Sequence, residues 1–274
     1  MNLIPGDGNP EHILDHYPLE MHGSISDLVN RFDGLKQRIL IETLRLLADE
    51  QMAADLKMTS KVIQEIHTGL EVFKPYQSRR KITFFGSARI KEDDPRYIQA
   101  RDCARAMMEE SYMIITGGGG GIMQAANEGA GMEHSFGINI NLPMEQAPNH
   151  VVAGSPRHFY CQYFFTRKLF FLKESDAVIL TPGGFGTLDE TFETLTLLQT
   201  GRNPPIPVVL LNPPGDDYWG PFVHSWMRRL IDDGLPVGER RDVVFVLRRD
   251  LTVPDHHLVR RPEEGREHDE GTEC

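Results

Sequence analysis

The chain reads as an α/β protein: a parallel sheet in three layers, with helices on both faces and an extra helical region at the amino end. Three observations predict this. Short, continuous apolar runs, without the alternation of a half-exposed strand, recur between segments of helical period. Several of these runs end in small residues, as at Gly86-Ser87, Gly117 to Gly121 and Gly183-Gly184. Runs and helical segments alternate in the order that βαβ units require.

Taken in order, residues 1–24 read as irregular. From residue 25 to 73, apolar side chains recur at intervals of three and four (Leu28, Phe32, Leu35, Ile39, then Val62, Ile66, Leu70), which predicts two or three helices. The polar stretch Gln77-Ser78-Arg79-Arg80-Lys81 is a junction, separating a helical extension (1–78) from a sheet domain (79–252). Within that domain, strands are predicted at 82–87, 112–116, 136–140, 177–180 and 207–211, with an edge strand at 243–247. Helices fill 96–110, 122–129, 163–174, 188–200 and 218–233, the last two stopped by Gly201 and Gly234. Residues 253–274 hold few apolar side chains and charges of both signs, and read as a disordered polar tail. The chain has no internal repeat.

Composition narrows the function. A net charge of -11 argues against a nucleic-acid or membrane partner, while leaving room for a local anion pocket. The three cysteines, Cys103, Cys161 and Cys274, match neither a zinc spacing nor a disulfide framework and suggest a reducing compartment. The first residues lack an apolar signal core, and no apolar run reaches the roughly 18 residues of a membrane span, so a cytoplasmic protein is expected. No lysine follows the glycine run as a P-loop demands, and no acidic residue completes a dinucleotide fingerprint. The elbow of an α/β-hydrolase is missing too. The histidines, including His150 and His158, have no metal-ligand spacing, so no metal is expected.

The densest motif is Pro182-Gly183-Gly184-Phe185-Gly186-Thr187-Leu188-Asp189-Glu190, placed between an apolar strand and a helix. Backbone N–H groups at such a turn, with the helix dipole behind them, suit a phosphate. Glu190 then stands one turn into the helix, beside whatever the phosphate carries. A second reading stays open: Thr187 and Glu190 also fit a capping box, in which the carboxylate bonds back to the cap. That box accounts for two residues but not for Gly183, Gly184 and Gly186. The glycine run at 117–121 permits close backbone approach to a ligand or is simply a flexible turn. Arg167-Lys168, on an aromatic-rich helix, is either a solvated basic pair or the cation beside the phosphate. Cys161, close to His158 in sequence, reads as a packing residue.

Together, Phe85-Gly86-Ser87, the glycine run, Arg167-Lys168 and PGGFGTLDE resemble the LOG family, named for the plant "lonely guy" cytokinin-activating enzymes; the likeness covers about residues 80–250. The resemblance implies a Rossmann-like homodimer that cleaves the N-glycosidic bond of nucleoside 5′-monophosphates, giving free base and ribose 5-phosphate. It implies Arg167 and Glu190 as the catalytic pair. Lys168, Gly183, Gly184, Phe185, Gly186, Thr187, Leu188 and Asp189 would surround the nucleotide, Thr196 would join them from further along the helix, and Ser87, Gly118, Gly119 and Gly120 would line the same cleft. No cofactor is expected, and the "lysine decarboxylase" label carried by some relatives is not adopted. The amino-terminal helices, the tail and a longer 141–160 connection depart from the plant pattern, which leaves the base open between cytokinin riboside monophosphates, AMP and other nucleotides. A non-catalytic nucleotide or cofactor carrier on the same fold is the alternative.

Overall fold

In the computed structural model the described residues are 17–48, 52–142, 147–213 and 215–235, with the backbone alone at 245–248. The tail expected at 253–274 lies outside them, as do residues 1–16. The chain divides into two units, residues 1–63 and 64–274.

In the first unit, α1 (Leu19–Val29) and α2 (Gly34–Ala48) bury Ile25, Val29 and Ile41 between them. Helix α1 starts within the stretch that reads as irregular. Pro18 at its cap and Glu20 in its first turn favour a helix start there. Its first residue, Leu19, is exposed, so this turn adds nothing to the apolar period by which a helix is recognised. Helix α3 (Ala53–Phe73) runs across the division, and its final turns belong to the second unit.

The second unit is a seven-stranded parallel sheet: β1 (Lys81–Phe85), β2 (Met113–Thr116), β3 (Ser135–Ile140), β4 (His158–Cys161), β5 (Ala177–Leu180), β6 (Val208–Leu211) and β7 (Phe245–Arg248), in the order β4-β3-β2-β1-β5-β6-β7. Its helices are α4 (Pro95–Glu109), α5 (Ile122–Ala130), α6 (Phe164–Lys173), α7 (Phe185–Gln199) and the short α8 (Arg228–Asp232). The segment read as one helix over 218–233 is a π-helical stretch, Phe222–Met227, running into α8.

Strand β4 is an addition to the six strands read from sequence. It spans the end of the 141–160 connection and the residue after it, at the sheet's edge beside β3, with Gly137 opposite His158 and Ile140 opposite Cys161. Phe159 and Cys161 are buried while Tyr160 faces out, so the segment lacks the unbroken apolar run of the central strands.

Alternating side chains send the core to both faces. Phe85, Met113, Ile115, Phe136, Ile138, Val178 and Leu180 pack with Phe170 and Phe171 of α6 and with Phe73 at the end of α3. Ile82, Phe84, Ile114, Ile179 and Val209 pack on the other face with Cys103, Ala104 and Ala126 of α4 and α5. Strand β1 pairs with β2 on one side and β5 on the other, Ile82 lying opposite Ala177 and Phe85 opposite Leu180. The strand order reverses here, and a crevice forms at the carboxyl ends of β1 and β5, where parallel sheets bind their ligands.

Candidate active site

Two loops leave the sheet at this crevice and are stitched together. Thr181 N–H donates to Phe85 C=O (2.9 Å), and Ser87 N–H donates to Pro182 C=O (3.3 Å). A third loop joins where Ile122 N–H donates to Ser87 C=O (3.1 Å). That contact needs glycine at 121: its φ is +61°, and a Cβ there would lie 2.4 Å from Ser87 C=O. Between the loops opens a cleft of about 560 Å³, walled by Ser87, Arg89, Gly117, Met123, Arg167, Glu190 and the turn from Gly184 to Thr187.

Helix α7 bears on the capping reading of Thr187 and Glu190. Its N-cap is Gly184, with no side-chain cap, so Thr187 lies inside the first turn. Thr187 is buried against Gly183, where a Cβ would meet its hydroxyl at 2.1 Å. The capping box is therefore not formed, and the Glu190 side chain is part of the cleft wall. The first intrahelical bond at this end is Leu188 N–H to Gly184 C=O (3.0 Å). The N–H groups of Phe185, Gly186 and Thr187 precede it, and like those of any helix start they have no partner one turn back. They lie at the positive end of a 15-residue helix, on the cleft.

Arg167 reaches the same cleft from α6. It is 9% exposed. Its Nε donates to Ile138 C=O (2.8 Å), Nη2 to Gly117 C=O (3.4 Å), and the guanidinium lies 5.1 Å from the centre of the Phe171 ring. Burial pulls its pKa down, with Glu190 and Cys161 acting in the opposite direction. Burial likewise pushes the Glu190 carboxyl up to about 7; Arg167 and Lys168 oppose that shift, while Asp189 and Glu193 add to it. A carboxyl that titrates near neutrality beside a buried guanidinium can exchange a proton with water or a leaving group at physiological pH.

The other residues singled out from sequence fall elsewhere. Lys168 is not in the cleft wall; its Nζ pairs with Asp189 (3.2 Å) and Glu193 (2.6 Å), tying α6 to α7. These ion pairs hold its charged form, raising its pKa against the opposing effect of burial. Gly118, Gly119 and Gly120 also lie outside the wall. The first two wrap Asn149, whose N–H donates to Gly118 C=O (2.8 Å) and whose Nδ2 donates to Gly119 C=O (3.0 Å). Gly183 is turned toward Thr187, and its C=O accepts from the Tyr218 hydroxyl (2.7 Å). Leu188 packs on the core, and Thr196 bonds back to Phe192 C=O (2.7 Å) about three turns into α7. Ser87, Gly184, Phe185, Gly186, Thr187, Arg167 and Glu190 are the members that the fold brings together.

Sequence reasoning missed Arg89 and Met123 in the wall, while Gly117 belongs to the glycine run it singled out. Arg89 had a usable signal, a cation two residues beyond the small Gly86-Ser87 pair at a strand's carboxyl end. Met123 has none, since it reads as an ordinary apolar helix residue. Cys161 is fully buried in β4, and His158 bonds Asn139 Oδ1 (3.0 Å), with burial lowering its pKa. Among the described residues no group of acidic, histidine or cysteine side chains could hold a metal, and no helix is long and apolar enough to cross a membrane.

Comparison with known proteins follows the same lines. Residues 119–255 match the profile of a family described as "Possible lysine decarboxylase". A cytokinin riboside 5′-monophosphate phosphoribohydrolase of Arabidopsis thaliana is 29% identical over 172 residues, 61% of this chain and 75% of its own. A second Arabidopsis protein, named "Probable cytokinin riboside 5′-monophosphate phosphoribohydrolase", is 33% identical over 150 residues, 53% of this chain and 71% of its own. Among solved structures, the molybdenum cofactor binding protein of Rippkaea orientalis is 22% identical, with a TM-score of 0.40 over 58% of this chain and 87% of that one. The profile's description would call for pyridoxal phosphate, which such enzymes hold through a lysine Schiff base. No lysine is in the cleft wall and the nearest in sequence, Lys168, is committed to two carboxylates, so the described residues do not fit that group. By its profile match and its phosphoribohydrolase relatives, the chain belongs to the LOG family.

Proposed function

We propose that this chain hydrolyses the N-glycosidic bond of nucleoside 5′-monophosphates, of the cytokinin riboside monophosphate or AMP type, releasing free base and ribose 5-phosphate. The observation that carries the reading is Glu190: a carboxyl on the cleft wall, one turn from the open N–H groups of α7, pushed up to about 7 and facing the buried Arg167. The names of the curated relatives support the same chemistry.

In this reading the 5′-phosphate sits on the N–H groups of Phe185, Gly186 and Thr187, with Arg89 near the mouth of the cleft. Binding the phosphate holds the sugar against Glu190, so remote binding energy is spent on positioning the reacting carbon. Cleavage passes through an oxocarbenium-like state with positive charge on the ribose. Ionised Glu190 stabilises that charge and takes a proton from the water that attacks C1′. The C1′–N bond breaks with its electron pair going to the base, which takes up one proton from solvent, while Glu190 returns the water's proton to solvent. Arg167, held by Ile138 and Gly117, keeps a fraction of Glu190 ionised at neutral pH. The reading includes a homodimer; the cluster of Phe192, Phe222 and Trp226, with Trp226 64% exposed, is apolar surface of the kind a second copy covers.

The test is incubation with a panel of nucleoside monophosphates and the matching nucleosides, followed by chromatography for free base. Base release from monophosphates but not from nucleosides is expected. Binding without release would assign the chain to the carriers instead.

A further inference from the structure

Glu65, in the second half of α3, lies outside the 119–255 segment that matches the family profile. It is 1% exposed. Both of its carboxylate oxygens are spent on the start of α6: Oε1 accepts the Gln162 N–H at 2.7 Å, and Oε2 accepts the Thr166 hydroxyl. Tyr163, the N-cap of α6, supplies no side-chain cap. Glu65 stands in for one from another helix, with its charge at the positive end of the α6 dipole. The approach this needs is built in at Gly69, where a Cβ would lie 2.2 Å from the Phe170 ring of α6. Arg167 is the next residue after Thr166.

We infer that Glu65 is a positioning residue: its carboxylate fixes the start of α6 and thereby holds the Arg167 guanidinium against Gly117 and toward Glu190. This rests on the hydrolase reading above for its catalytic consequence, but not for its geometry. Buried carboxylates bonded to backbone N–H and hydroxyl groups lock a helix end firmly, and a shift of about 1 Å in a positioning group costs an enzyme on the order of 100-fold.

The experiment uses the full chain and compares wild type with Thr166→Val, which deletes the hydroxyl at constant volume, Glu65→Gln, and Thr166→Ser, which keeps the hydroxyl. The primary readout needs no turnover: the titration of Glu190, followed by carbon NMR of glutamate-labelled protein. The charged groups facing Glu190 are Arg167 and Lys168 from α6 and Asp189 and Glu193 from α7. If Glu65 holds the α6 cations in place, the Glu190 midpoint moves upward in Thr166→Val and Glu65→Gln and returns in Thr166→Ser. In parallel, kcat for base release falls about tenfold or more with KM little changed, the pattern of an interaction lost in the transition state. An unchanged midpoint in a folded Thr166→Val overturns the inference. Should Glu65→Gln fail to fold, Thr166→Val decides alone. A wild type that releases no base would sink the hydrolase reading while the titration still judges Glu65.

Discussion

The Arg167 guanidinium occupies the space that a side chain on residue 117 would fill. A Cβ at Gly117 would lie 2.0 Å from Arg167 Nη2, which also donates to the Gly117 carbonyl. The end of β2 and the first turn of α6 therefore meet closely because this residue has no side chain. Gly117→Ala is expected to push the guanidinium away from Glu190. Base release should fall about 100-fold, as for a displaced positioning group, and stability by about 1–3 kcal/mol, as for overpacking. Steady-state kinetics and urea unfolding check both.

Glu190 costs the fold stability at neutral pH. Its carboxyl titrates at 4.5 when unfolded and at about 7 when folded, so the native state binds the extra proton between these values. Stability then falls as pH rises through that window and is recovered as pH drops toward 4.5. Glu190→Gln removes the penalty. At pH 8 the variant should be more stable than wild type, by at most about 3 kcal/mol at ~1.4 kcal/mol per pKa unit. At pH 5 the advantage should shrink to about 1 kcal/mol or less. Thermal melts at the two pH values measure it.

Base release should depend on ionised Glu190, giving an acid limb in kcat/KM centred near 7. Arg167 favours the ionised form, so Arg167→Gln should move that limb to higher pH as well as lower the rate. A pH–rate profile of the residual activity checks the direction.

Asn149 holds the glycine run from behind. Its amide donates to Gly119 C=O and Asn127 Oδ1, and its Oδ1 accepts from the N–H groups of Val151 and Val152. Asn149→Ala would leave several of these buried groups unpaired and should cost about 2–4 kcal/mol. Chemical denaturation measures it.

The central strands were legible because β1, β2, β5 and β6 are covered on both faces and so read as unbroken apolar runs. Strand β4 was not, because an edge strand with Tyr160 facing out shows alternation over four residues only. The glycine turn was legible as a break between strand and helix, yet Thr187 and Glu190 were not legible as a pair. A capping box and a first helical turn share one sequence pattern, and only the start of α7 at Phe185 separates them. Lys168 and Asp189 share an ion pair across two helices, which no local pattern encodes. Glu65 was the least visible: a glutamate on an amphipathic helix reads as solvent-facing, and its burial depends on how closely Gly69 lets α6 approach.

The central claim is that the Glu190 carboxyl acts on a nucleotide seated at the start of α7. Its most direct test is base release from AMP and cytokinin riboside monophosphates by wild type and Glu190→Gln, with AMP affinity measured on both by calorimetry. The expected result is release by wild type, a loss of about 100-fold or more in the variant, and closely similar affinities. Full activity in Glu190→Gln, or nucleotide binding by wild type with no base released, would contradict the account.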